Sequence, residues 1–161
     1  MRVIEVTWRR TLHVLDVENL GRGPQCDGRW LAWALGRFRK VAVWREGDHG
    51  IGAASTYCYK RVCFDLPTGI RVVPAGAGAD VADRRLIEEV CPEWTAARFD
   101  RVVFGSGDHI YADLARDLRR RGVTTWAVAW SDTMSRELRQ VVDVVRYLDT
   151  QPATPVLKVA A

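Results

Sequence analysis

The chain has 161 residues, 48% of them hydrophobic and 27% charged, the size and make-up of one globular domain; a disordered, collagen-like or coiled-coil chain is excluded. No run approaches the roughly 20 apolar residues that cross a bilayer, and residues 1–10 scatter charge where a signal peptide has an apolar core, so a cytoplasmic protein is expected. A net charge of +4 and a pI near 9.1 suit an anionic partner such as nucleic acid, and a basic set that is almost wholly arginine suits bidentate phosphate contacts.

Cys26, Cys58, Cys63 and Cys91 show no Cys-x-x-Cys pair and no histidine at zinc spacing, so reduced thiols are expected. Residues 3–8 alternate as an edge strand or a leader. Val14, Leu15 and Val17 surround Asp16 in an expected buried strand, which leaves its sheet through Glu18 and Asn19. Beyond a Gly-Arg-Gly-Pro loop, the spacing of Trp30, Leu31, Ala34, Leu35 and Phe38 predicts a helix. The apolar run 41–44 predicts a second strand with its exit at 45–48. Residues 50–66 are ambiguous, with strand-like composition at 55–59 that could also be helical.

A third strand is expected at 70–73, then a small-residue loop and a helix over about 81–90. Its glycines do not make a dinucleotide fingerprint, because position 81 is valine. Residues 102–104 predict a fourth strand that exits through Gly105-Ser106-Gly107-Asp108 into a helix bearing Ile110, Leu114 and Leu118. Arg116, Arg119, Arg120 and Arg121 load the end of that helix, within reach of Asp113 and Asp117. A fifth strand is expected at 123–130, and Leu138, Val141, Val142, Val145 and Leu148 predict a closing helix. The expected whole is a single α/β domain at 1–149 with a mainly parallel sheet, followed by a C-terminal tail at 150–161.

Three acids stand out. Asp16 lies among apolar residues, where an ionised carboxylate is costly without compensation; the alternative is a turn-forming residue at a strand end, with Asn19 capping a helix. Asp83 shares the buried stripe of its helix with Leu86, Ile87 and Val90, while Asp80 reads first as that helix's N-cap. Asp108, with the Ser106 hydroxyl, stands at the exit of the fourth strand, where a capped helix is the plainer reading. Strand exits share one end of a parallel sheet, so Asp16, Asp83 and Asp108 converge if strands one and four are neighbours. Three carboxylates without a nearby lysine raise one another's pKa. A divalent cation, Mg2+ or Mn2+, would resolve this and leave coordination positions for a phosphate oxygen and a water, which points to phosphodiester hydrolysis.

The run Asp16-Val17-Glu18-Asn19-Leu20 resembles the Asp-x-x-Asn-Leu opening of NYN domains, a branch of the PIN-like ribonucleases. Gly78 to Leu86 is similar to the family's second acidic segment, with Asp83 at its Ala-Asp aspartate. Ser106-Gly107-Asp108 and the helix behind it resemble its Ser-x-Asp motif, and the closing helix through 148 fits the pattern. The resemblance covers about 12–148. It implies a PIN-like three-layer α/β/α fold with a five-stranded sheet of order 3-2-1-4-5. It also implies a metal-dependent endoribonuclease acting on RNA, in which Asp16, Asp83 and Asp108 hold the metal and Asn19 and Ser106 orient water or phosphate.

Two positions depart from the pattern: Ile110 stands where many relatives carry another aspartate, and Glu88 or Glu89 is the only candidate for a further acid in the second helix. These departures fit one metal ion rather than two, or an RNA-binding or protein-interaction module that does not cut. A haloacid-dehalogenase-like phosphatase is the other enzyme reading, from Asp16-x-Glu18 and from Gly107-Asp108 with Asp113. A large apolar contact surface at Trp8, Trp94 or Trp130 would point to a homo-oligomer.

Overall fold

A computed structural model describes residues 10–22, 27–63, 66, 69–78 and 80–150; the expectations for residues 3–8, for Cys26 and for the tail from 151 onward lie outside them. The strands are Thr11–Asp16 (β1), His49–Ser55 (β2), Ile70–Ala75 (β3), Arg101–Gly105 (β4), Thr124–Ala129 (β5) and Val144–Tyr147 (β6). They form one parallel sheet of order β3-β2-β1-β4-β5-β6. The expected order 3-2-1-4-5 is therefore present, but the expected count of five strands is corrected to six. The helices are Val17–Leu20 (α1), Gly28–Val41 (α2), Thr56–Val62 (α3), Val81–Glu89 (α4), Pro92–Arg98 (α5), Ala112–Arg120 (α6) and Arg136–Val141 (α7). None of them is long and apolar enough to cross a membrane.

Alternation along the central strands sorts the core onto both faces of the sheet. Leu12 and Val14 of β1 join Val102 and Phe104 of β4 against Leu86 of α4, Leu118 of α6 and Leu138 of α7. Leu15 and Val103 face the other way, onto Leu20, Leu35, Phe38 and Cys58 of α1 to α3. Arg116 pairs with Asp113, and Arg120 and Arg121 with Asp117, as their spacing predicts, whereas Arg119 reaches Asp143 instead.

Four expectations are corrected. Residues 41–44 are not a strand: α2 runs to Val41, and Val43 turns the chain with a φ of 53°. The second strand comes later, at 49–55, and of the ambiguous residues after it 56–62 are helical. The closing helix ends at Val141, and 144–147 is β6. Its valines continue the apolar spacing of α7 while being β-branched, and they pair beside Trp126 to Ala129. Cys58 is disulfide-bonded rather than reduced, whereas Cys63 and Cys91 are free. Helix α5 has no counterpart in the sequence reading, since Thr95 is its one buried residue.

The misplaced exit at 45–48 has its own role at the amino end of the sheet. His13 is fully buried and lies flat on Trp44, with ring centroids 3.9 Å apart. Its Nε2–H donates to Asp48 Oδ2 at 3.0 Å. The buried Arg101 donates to Thr11 Oγ1 and to the Val43 carbonyl, and it covers the Trp126 ring. Burial lowers the His13 pKa below 6.5 despite Asp48. Burial works to raise the Asp48 carboxyl, but His13 and the Arg45 backbone N–H outweigh it and hold its pKa below 3.8.

Both shifts make acid destabilising. The unfolded chain takes a proton on His13 below pH 6.5 that the folded chain resists, and stability held by Asp48 is lost as pH falls through its depressed pKa. His13→Leu is expected to cost about 1–3 kcal/mol at pH 7 by stranding Asp48, and to flatten the fall in urea midpoint between pH 6.5 and 4. An NMR titration that puts the His13 ring at or above 6.5 would contradict this account.

Candidate metal centre

The carboxyl ends of β1 and β4 are neighbours, with Leu15 opposite Gly105, and each strand delivers polar residues at its exit. Asp16 ends β1 as the N-cap of α1: Asn19 N–H donates to its Oδ1 at 3.0 Å. The Ser106 hydroxyl donates to Asp16 Oδ2 at 2.9 Å and accepts from the Asp108 N–H. Asp108 in turn caps the short turn behind it, accepting from Ile110 N–H at 3.0 Å, and the exposed His109 stands 2.9 Å away. The capping reading holds for Asp108, whereas at β1 the cap is Asp16 itself and not Asn19, which lies inside α1; both carboxylates also stand in one cleft.

The second arm comes from α4, which packs across β1, β2 and β3. Asp83, in its first turn, faces inward, and Tyr111 O–H donates to Asp83 Oδ1 at 2.8 Å. Asp80 makes no side-chain cap and has a left-handed φ of 58°, a conformation that costs a non-glycine residue about 1 kcal/mol. Asp80, Asp83 and Asp108 each offer a carboxylate oxygen within 4.8 Å of the others. An open cleft of about 400 Å³ is lined by Asp16, Glu18, Asn19, Arg22, Asp80, Asp83, Asp108 and Thr133. Gly107 brings the last of these in: a Cβ on it would stand 2.3 Å from the Thr133 carbonyl oxygen.

Burial, and then the neighbouring Asp83 carboxyl, push the Asp16 pKa well above its usual value, against the lowering effect of the Asn19 and Ser106 hydrogen bonds. Burial and the surrounding acids likewise hold Tyr111 protonated, so it remains a donor. The cleft's cation, Arg22, is engaged in a bidentate pair with Asp132. The donor set is therefore all oxygen and under-neutralised, which is what a hard divalent cation accepts. Two oxygens on one magnesium stand about 2.9 Å apart when adjacent and about 4.2 Å when opposite. A spread within 4.8 Å closes by side-chain rotation, so the residues fit the ion.

All five site residues expected from the sequence, Asp16, Asn19, Asp83, Ser106 and Asp108, meet at this end of the sheet, with Ser106 as the buried link between β1 and β4. Sequence reasoning passed over Asp80 as a cap, and Tyr111, Arg22 and Thr133 altogether; Tyr111 looks like one more apolar position of the helix after Asp108. Glu18 accepts from Ser55 N–H and so ties α1 to the end of β2. Glu88 and Glu89 pair with Arg85 and Arg71, and Ile110 packs against the core. Glu88, Glu89 and Ile110 thus add no side-chain oxygen to the cleft.

The architecture is that of an open α/β protein with its acidic cleft at the strand exits. No protein-family model matches the chain, and none of the curated proteins does. Among solved structures, it is similar to a protein of unknown function from Vibrio parahaemolyticus. The TM-score is 0.60 at 15% identity, over 92% of this chain and 97% of the other. That likeness concerns the fold.

In EDTA, Asp16→Asn is expected to melt at or above the wild-type temperature, because it removes a carboxylate repulsion from a buried site. Mn2+ at a hundredfold its dissociation constant is expected to stabilise the wild type by about 2.7 kcal/mol and the variant much less; no shift in the wild type at millimolar Mn2+ would count against an ion site. Gly107→Ala is expected to cost about 3 kcal/mol, read from the urea midpoint, since it drives a methyl group into backbone.

Proposed function

We propose that the protein is an NYN-like member of the PIN-like ribonucleases, a Mg2+- or Mn2+-dependent endonuclease that hydrolyses RNA. The observation that carries this reading is the meeting of Asp80, Asp83 and Asp108 at the exits of two neighbouring parallel strands, with buried Asp16 behind them. An ion bound by these carboxylates would supply Lewis-acid activation of the phosphodiester and of the attacking water.

The chain's own residues set the geometry. Ser106 fixes Asp16 and Asp108 relative to each other through one hydroxyl. Tyr111 keeps Asp83 turned into the cleft. Asn19 lines the cleft and its Oδ1 is buried without a hydrogen-bond partner among the described residues, so a rotation of the amide toward the cleft would let it accept from a water or a ribose hydroxyl. Arg22, at the rim, would serve a phosphate by exchanging its Asp132 partner for it.

The reading as a binding module that does not cut is favoured by Ile110, which packs against the core where the resemblance wants another acid. The phosphatase reading loses its support, because Asp113 is 95% exposed and pairs with Arg116 outside the cleft.

Cleavage of a labelled RNA in Mn2+ is expected to cease in EDTA and to fall at least about 100-fold in each of Asp16→Asn, Asp83→Asn and Asp108→Asn. Cleavage that survives Asp16→Asn combined with Asp108→Asn would sink the nuclease. Manganese binding with no cleavage of any structured or unstructured RNA would favour the module.

A further inference from the structure

The acidic cleft continues across Arg22 onto an aromatic surface that its chemistry does not use. Trp30 and Trp33 of α2 are 38% and 50% exposed. Their rings stack on each other with centroids 4.8 Å apart, and each lies 5.9 Å from Trp130 at interplanar angles of 15° and 14°. Trp130 is itself only 4% exposed and is pinned by its indole N–H to the Leu20 carbonyl. The Arg22 guanidinium covers the Trp130 ring at 4.7 Å and also lines the cleft.

Large apolar side chains on a solvent face cost stability unless something covers them. Arg29 is exposed beside Trp30. Gly36, one turn beyond Trp33, has nothing within 4 Å of where its Cβ would stand, so the helix leaves the flank of that ring open. An apolar protein partner is met by a broad aliphatic surface; two exposed indoles, with Arg29 next to Trp30 and Arg22 over the adjoining Trp130 ring, instead match the flat faces and phosphates of an unpaired nucleic acid strand.

We infer that Trp30 and Trp33, with Arg29, form a stacking platform for unpaired bases of single-stranded RNA, and that Arg22, exchanging Asp132 for a phosphate, leads the strand's backbone from this platform to the acidic cleft. This rests on the nuclease reading for the substrate's identity, but the platform binds whether or not the cleft cuts. A paired helix hides its base faces, so the platform selects single strands over duplex.

The test is fluorescence anisotropy of a labelled single-stranded oligouridylate in EDTA, where no cleavage interferes, with a labelled RNA duplex as the comparison. Wild type is expected to bind the single strand at least tenfold tighter than the duplex. Trp30→Ala with Trp33→Ala is expected to weaken single-strand binding about 10- to 100-fold, and the corresponding Phe pair to stay within about threefold. If the alanine pair does not fold by circular dichroism, Trp33→Ala alone, at the more exposed ring, carries the test with about a tenfold loss.

Equal binding by wild type and the alanine variants overturns the platform, even if the wild type cuts RNA. So does a phenylalanine pair that loses as much as the alanine pair, or sedimentation showing that the tryptophans hold two copies together while RNA binding is unchanged. Tryptophan-dependent binding in a protein that cuts no RNA leaves the platform standing and removes the nuclease reading alone.

Discussion

Asp16 is nearly out of solvent and stands against a second carboxyl group, and folding must accommodate that opposition. Desolvation and like charge act in the same direction, while the Asn19 N–H and the Ser106 hydroxyl offset only part of the cost. Such a group persists only where the surrounding structure fixes it. Here the strand end, the capped α1 and the hydroxyl link to β4 all hold it in place. The protein therefore carries, at one end of its sheet, an unfavourable charge arrangement that a cation would relieve, and the left-handed backbone at Asp80 adds to it.

The two ends of β1 make an instructive contrast. At the amino end, His13 meets Asp48 and Arg101 beneath Trp44 and Trp126, so charge is balanced and sealed from water. At the carboxyl end, three residues further on, the acids outnumber their partners and open onto solvent. One strand thus carries a neutralised structural cluster and an under-neutralised site, separated by Val14 and Leu15, which anchor opposite faces of the core.

The legible parts of the fold were those where one signal dominated. β1, β4 and β5 are apolar runs with polar exits, and α6 repeats its leucines at helical spacing. β2 was illegible because His-Gly-Ile-Gly-Ala-Ala-Ser looks like loop; its small residues serve close packing, as at Gly50, whose Cβ would stand 2.6 Å from the Trp44 ring. β6 was hidden by valines that satisfy both periods. In the site, Asp16, Asp83 and Asp108 could be found because parallel topology dictates where strand exits meet. Asp80 could not, since an aspartate before a helix is ordinarily its cap, and only the left-handed backbone turns this one elsewhere. Tyr111 and Arg22 act through contacts that span 28 and 110 residues of chain, and local pattern carries no trace of them.

The sixth strand changes what the sheet offers at its rims. Among the described residues, the outermost strand on one side is β3, which carries Pro74 and so lacks one backbone donor. On the other it is β6, four residues long, with Arg146 anchored to the Val41 carbonyl and stacked on Trp126. A proline and a short, arginine-bearing strand are both poor templates for an added strand. Growth of this sheet into a filament or a strand-swapped pair is discouraged at both rims, and association with other molecules is directed to the helical faces and to the cleft mouth.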